Sequence, residues 1–220
     1  MTLIGDLRIA VPRGALFGET LDVLDRLGVD TAEVRSNDRK LLFDDGQLIT
    51  MRPSDVPTYV EAGAADIGIT GKDVLMEHSW AHAARGGGSG HIYELFDLGY
   101  GRCLLVLASV EGEDASVEAL RRLGVMRVAT KYPKTAAAYF ERTGRQAEIV
   151  EVKGSVELAP LTGLAEAIVD LTATGTTLRE NGLVVREEIA VATARLIANP
   201  VAHKLKADAI DDVVRRLREG

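Results

Sequence analysis

The chain has 220 residues, 46% hydrophobic and 27% charged, and its 26 Lys and Arg against 33 Asp and Glu give a formal net charge of −7. This is ordinary globular composition, long enough for one large domain or two small lobes whose core needs neither disulfide nor metal. The single cysteine, Cys103, cannot close an internal disulfide or build a zinc site, and the acidic balance argues against a broad nucleic-acid surface. No apolar run approaches the ~20 residues of a membrane span, and the start at Met1-Thr2-Leu3 shows no signal peptide. A cytoplasmic protein with no membrane or nucleic-acid partner is expected.

Short β-type runs alternate with helical stretches, which predicts an α/β protein. Leu7–Val11 reads as a strand stopped by Pro12, and Glu19–Leu27 as a helix with Leu21, Leu24 and Leu27 on one face, ended by Gly28. Ala65–Thr70 is the next strand, followed by Gly71 and a short helix through Val74, Leu75 and Met76. Arg85-Gly86-Gly87-Gly88-Ser89-Gly90 reads as a surface loop at the first lobe boundary, since no strand leads into it. Arg102–Ser109 has the apolar centre of a strand buried on both faces. Strands are expected at Val125–Thr130 and Ala147–Val152, with a helix opened by Pro133 between them. Ala167–Asp170 is a further strand running into a polar loop. The tail from Pro200, with Leu205, Ile210, Val213, Val214 and Leu217, reads as one amphipathic helix.

Chemistry concentrates where that last strand ends. Asp170 is followed by Leu171, Thr172, Ala173, Thr174, Gly175, Thr176 and Thr177, and a helix can start near Thr177. Backbone N–H groups and hydroxyls in such a loop can hold a phosphate dianion without a lysine. An acid just ahead of it can accept hydrogen bonds from two ribose hydroxyls. Diol and 5′-phosphate are neighbours on one sugar, so the order suits a phosphoribosyl group. An ordinary capped strand–helix turn has a similar composition.

Several long segments, in order, resemble the ATP phosphoribosyltransferase family. They are Gly154–Ala165, Ala167–Leu171 and Thr174–Leu178, with Arg52–Val60, Ala65–Asp73, Ala129–Pro133 and Asn181–Leu183. The likeness runs from about Leu7 to Leu205. Two departures stand out. Pro12-Arg13-Gly14-Ala15 replaces the usual Pro-Lys-Gly-Arg, keeping one positive charge and losing the second, and Glu166 replaces an aspartate.

The resemblance implies two α/β lobes like those of type II periplasmic binding proteins, with the active site in the cleft. The first lobe would hold residues 1–94 and 184–220, and the second residues 95–183 with the phosphoribosyl loop. It implies attack by adenine N1 of ATP on C1 of phosphoribosyl pyrophosphate, the first step of histidine biosynthesis. Mg²⁺ would arrive with the substrates, with no metal site of the protein's own. Arg39 and Arg52 would face the pyrophosphate, whose charge a guanidinium fork suits; a solvated turn at Asp38-Arg39-Lys40 and a surface salt bridge at Arg52 are the alternatives. Asp170, Thr172, Ala173, Thr174, Gly175, Thr176 and Thr177 would hold phosphoribosyl pyrophosphate. Arg13, Gly71, Lys72, Asp73 and Glu157 would line the ATP side; a plain helix start at Gly71–Asp73 and a cap at Glu157 are the alternatives. No residues remain for an attached regulatory domain, so the short form is implied, a dimer within a hetero-oligomer that includes a regulatory subunit related to histidyl-tRNA synthetase. Cys103 reads as core, and His78, His82, His91 and His203 show no ligand spacing. The competing class is a non-catalytic small-anion binding protein of the same fold.

Overall fold

The computed structural model describes residues 5–83 and 91–219, without the side chains of 81–83. The glycine-rich segment Arg85–Gly90 and the side chain of His82 lie outside the described residues. In chain order the elements are β1 (Ile9–Pro12), α1 (Phe17–Arg26), α2 (Ala32–Ser36), β2 (Leu42–Phe43), β3 (Leu48–Met51), α3 (Val56–Glu61), β4 (Ile67–Gly71), α4 (Lys72–Ala83) and β5 (Tyr93–Asp97). There follow β6 (Cys103–Val110), α5 (Ala115–Leu123), β7 (Met126–Thr130), α6 (Pro133–Thr143), β8 (Ala147–Glu151), α7 (Leu158–Leu161), β9 (Ala167–Thr172) and α8 (Thr176–Glu180). The chain closes with β10 (Leu183–Ala192), β11 (Ala194–Ala198), α9 (Pro200–Leu205) and α10 (Ala207–Glu219).

Two compact units emerge, one of residues 5–78, 91–101 and 193–219, the other of 79–83 and 102–192. The first is built on a sheet ordered β2-β3-β1-β4-β11-β5, with β1 parallel to both β3 and β4. Alternation along β1 sends Ile9 and Val11 into a cluster with Leu21 and Leu24 of α1 and Ile210 and Val213 of α10. Ala10, on the opposite face, packs with Val56 and Val60 of α3. Gly68 in β4 admits that helix closely: a Cβ there would lie 2.7 Å from Val56 and 2.9 Å from Val60.

The second unit has the order β10-β6-β9-β7-β8, with β7 parallel to β8 and β9 and β6 antiparallel to β9 and β10. Ile168 of β9 sits in a cluster with Val106, Ala108, Ala129, Val156, Ala159 and Leu178. Burying such a side chain contributes about 1.5–3 kcal/mol, which anchors β9 and the residues it carries. Leu105 to Ser109 are all buried, as a strand covered on both faces requires.

Some elements differ from expectation. The first helix begins at Phe17, the helix after Gly71 runs twelve residues, and the tail makes two helices broken at Lys206. Lys206 leaves helical geometry there, and its Nζ binds Asp66 at 2.9 Å and the backbone carbonyl of Asp6 at 3.0 Å. The lobe crossings expected at 94/95 and 183/184 fall at 101/102 and 192/193 in the contact pattern. Strand pairing is the reason: β5 joins the first sheet beside β11, and the whole of β10 lies along β6 in the second.

Candidate functional site

In the first unit the parallel strands β1, β3 and β4 end on one edge, where ligands gather in open α/β sheets. Arg13 follows β1, Arg52 follows β3, and Gly71 ends β4. Thr70 at the end of β4 donates its hydroxyl to the Pro53 carbonyl at 2.8 Å, tying β4 to the Arg52 turn. The 37–41 turn joins them: Thr50 N donates to Leu41 O at 2.9 Å, and Arg13 N to Met51 O at 2.7 Å.

Arg13 is the clip of this group. Its Nε donates to Thr50 Oγ1 at 3.0 Å and its NH2 to the carbonyls of Lys40 at 2.8 Å and Asn37 at 3.5 Å. Its guanidinium lies 5.4 Å from the Phe17 ring centroid and 3.8 Å from Asp38. The side chain is thus engaged with protein and shapes the turn that carries Arg39. Arg39 and Arg52 are exposed, and among the described residues neither guanidinium has a hydrogen bond or ion pair. Lys72 pairs with Glu94 at 2.5 Å, and Glu94 also takes Arg195 at 3.2 Å. Asp73 is buried and folds back over Gly71, where a Cβ would lie 2.1 Å from Asp73 Oδ1. Only glycine fits that position while Asp73 keeps its place.

The second unit carries the other group. Asp170 is 8% exposed near the end of β9. Burial raises its carboxyl above its ordinary value, opposed by the Lys131 ammonium and the Leu171 N–H, while the Glu157 charge adds to the rise. Lys131 Nζ stands 3.4 Å from Asp170 Oδ1, and Leu171 N donates to the same oxygen at 2.8 Å. Glu157 precedes α7 and makes no cap with its side chain, so its charge near Asp170 is its visible effect.

Beyond Asp170 the loop is a run of exposed or half-exposed donors. Gly175 takes φ +72, and its N–H donates to Thr172 Oγ1 at 2.8 Å. Thr174 and Thr176 hydroxyls pair at 2.9 Å. Among the described residues the amides of Ala173 and Thr174 have no acceptor. Arg179 folds back from α8, NH1 donating to Thr174 O at 2.9 Å and NH2 to Thr176 Oγ1 at 3.1 Å. Thr177 begins α8 beside Thr176, and its carbonyl accepts from Asn181 Nδ2 at 2.8 Å.

The expected residues thus fall into two groups, Arg13, Arg39, Arg52 and Gly71–Asp73 in one unit, Glu157, Asp170 and Thr172–Thr177 in the other. Sequence reading missed Lys131 and Arg179 as members of the second. Lys131 lay inside a quoted motif, and its place at the end of a strand was the available signal. Arg179, one helical turn after the loop, was the other. Of the histidines, His78 binds Glu61 at 2.9 Å, His91 approaches it at 3.5 Å, and His203 meets the Tyr93 ring edge-on. Cys103 is half-buried in β6. Among the described residues no group of three or more His, Cys, Asp or Glu could hold a metal ion, and no helix is long and apolar enough to cross a membrane.

Comparison with known proteins bears on this arrangement. The family model described as HisG, ATP phosphoribosyltransferase, matches residues 52–219. An ATP phosphoribosyltransferase of Rubrobacter xylanophilus is 52% identical over 91% of this chain and 89% of its own. One from a Geobacillus species is 44% identical over 97% and 98%. Among solved structures, the HisG:HisZ ATP phosphoribosyl transferase complex of Thermotoga maritima aligns with TM-score 0.77 and 33% identity, over 97% of both chains. The periplasmic sulphonate-binding protein SsuA of Escherichia coli aligns at TM-score 0.59 and 13% identity, over 97% of this chain and 71% of its own, a likeness of fold alone. With the family model spanning most of the sequence, and relatives above 40% identity along nearly all of it, the chain belongs to the ATP phosphoribosyltransferase family.

Proposed function

We propose that this chain performs the family's reaction, the first step of histidine biosynthesis, with Asp170 and residues 172–177 serving phosphoribosyl pyrophosphate and Gly71–Asp73 serving ATP. The supporting observation is the sequence of chemistry in the second unit: a buried carboxylate, then a loop of hydroxyls and unaccepted amides. Asp170 takes the ribose hydroxyls of phosphoribosyl pyrophosphate. Thr172, Ala173, Thr174, Gly175, Thr176 and Thr177 take its 5′-phosphate. Gly71, Lys72 and Asp73 line the ATP side with Glu157, and Arg13 acts there by holding the neighbouring turn in place.

Adenine N1 carries a free lone pair, so the attack needs no general base. The new bond forms between N1 and C1 as the bond from C1 to the pyrophosphate oxygen breaks. Negative charge then gathers on pyrophosphate, and the guanidinium groups of Arg39 and Arg52, without partners among the described residues, are suited to receive it. Mg²⁺ enters this reading with the substrates, as a counter-ion of their polyphosphates. The Thermotoga likeness supports a second, regulatory chain as partner in a hetero-oligomer.

The test is to mix the protein with ATP, Mg²⁺ and phosphoribosyl pyrophosphate, with and without a co-expressed regulatory subunit. A rise in ultraviolet absorbance that requires both substrates supports the reading. Binding of either substrate with no product in both preparations would overturn it.

A further inference from the structure

We infer that Lys131 is a positioning residue for phosphoribosyl pyrophosphate: it holds one oxygen of Asp170 so that the other is presented to the ligand. The inference rests on the reading of residues 170–177 as the phosphoribosyl site, and it concerns a side chain that has no role in that reading.

Register places the two residues together. Strands β7 and β9 run parallel with Thr130 opposite Val169, so Lys131, the first residue past β7, comes level with Asp170 of β9. Thr130 Oγ1 accepts the Tyr132 N–H at 2.9 Å, and α6 begins at Pro133, which fixes the backbone on both sides of Lys131. The ammonium stands 5.2 Å from the Tyr132 ring centroid, a second restraint on its direction.

Both protein donors converge on the same atom. Asp170 Oδ1 receives the Leu171 N–H at 2.8 Å and faces Lys131 Nζ at 3.4 Å. Among the described residues, Oδ2 has no donor. An ionised carboxylate oxygen has two lone pairs, enough to accept from two adjacent hydroxyls. A carboxylate with one oxygen pinned cannot rotate freely, so the open oxygen keeps its aim.

The surrounding charges make Lys131 necessary for this task. Asp170 is nearly buried; opposite it on β6 stands Val106, and the nearby Glu157 at the start of α7 carries like charge. From α8, Arg179 is turned to Thr174 and Thr176. Lys131 is therefore the cation that favours the ionised carboxylate. Without it burial and Glu157 act unopposed by any side chain, and Asp170 takes up a proton at higher pH. The lysine side chain is 41% exposed, so its removal leaves the core intact.

The experiment is calorimetric titration of the full chain with phosphoribosyl pyrophosphate and Mg²⁺ between about pH 4 and 8, from near the ordinary aspartate value upward. Wild type, Lys131→Met, Lys131→Arg and Asp170→Asn are compared, each checked by melting temperature. Lys131→Met is expected to bind about tenfold more weakly at neutral pH. Its affinity should also fall away at higher pH than that of wild type as the solution is acidified, and Lys131→Arg should restore most of both. Ligand titration is common to all the proteins, so the difference between variants reports Asp170. Wild-type binding by Lys131→Met at every pH, with weak binding by Asp170→Asn, would overturn the inference and leave the loop reading standing. Wild-type binding by Asp170→Asn as well would overturn both.

Discussion

Gly175 shows how one residue can serve both conformation and chemistry. Its φ of +72 is costly for any side-chain-bearing residue, by roughly 1–2 kcal/mol. A Cβ there would also lie 2.8 Å from Arg179 NH1, which now donates to Thr174 O. Gly175→Ala should therefore displace the guanidinium and turn the Thr174–Thr176 loop. We expect the Michaelis constant for phosphoribosyl pyrophosphate to rise about tenfold, with that for ATP near normal, in steady-state kinetics. Thr176→Val removes a hydroxyl that pairs with Thr174 and should shift the same constant in the same direction. An unchanged constant in both variants would count against a phosphate at this loop. Arg52 presents the opposite case, an exposed guanidinium engaged with nothing among the described residues. Removing it disturbs no packing, so Arg52→Ala should fold and melt as wild type. If it receives charge developing on pyrophosphate, turnover falls by at least about tenfold while ATP binding hardly changes. Near-normal turnover would remove Arg52 from the mechanism.

At the scale of elements, Glu166 fastens the start of β9 to β7. It receives Arg127 N at 2.6 Å and Arg127 Nε at 3.0 Å, while its own N–H donates to the Arg127 carbonyl at 3.0 Å. Burial would raise the Glu166 carboxyl, but the Arg127 hydrogen bonds and charge outweigh it and hold it below 4.5. A lowered folded-state value contributes stability above the unfolded value and loses it as pH falls through the folded one. Glu166→Gln should melt a few degrees lower than wild type at pH 7, and the gap should close as pH drops below about 4.5. A gap that persists at acid pH would mean the effect is steric. The elements themselves were unequally legible. β6, β7 and β9 stood out because their apolar runs are buried and bounded by turn signals; β8, half-exposed throughout, was legible as a short β-type run all the same. β10 did not, because Arg186, Glu187 and Glu188 interrupt it and bulges between Val185 and Glu187 and between Glu188 and Ala190 break its two-residue alternation. α9 and α10 read as one helix because apolar spacing continues across a break made by the tertiary contacts of Lys206.

For the whole molecule, the net charge of −7 means that two polyanionic substrates must be held by local donors, against an unfavourable overall field. The proposed phosphoribosyl loop is plain in the sequence, since Asp170 and Thr172–Thr177 are contiguous and their chemistry can be read in a line. The rest of the candidate site was hidden because it is assembled by folding: Lys131 reaches Asp170 only through strand register, and Arg13 meets the turn that carries Arg39 only when β1, β3 and the 37–41 turn are bonded. This difference can be tested across the chain at once by hydrogen exchange. Among the described residues the amides of Ala173 and Thr174 lack acceptors, so they should exchange quickly in the free protein. Saturating phosphoribosyl pyrophosphate with Mg²⁺ supplies phosphate oxygens to them, and exchange across 172–177 should slow by about tenfold or more. ATP alone should protect residues near Gly71–Asp73 and leave 172–177 fast. Protection of 172–177 by ATP alone, or none by phosphoribosyl pyrophosphate, would show that the assignment of 172–177 to phosphoribosyl pyrophosphate and of Gly71–Asp73 to ATP is wrong.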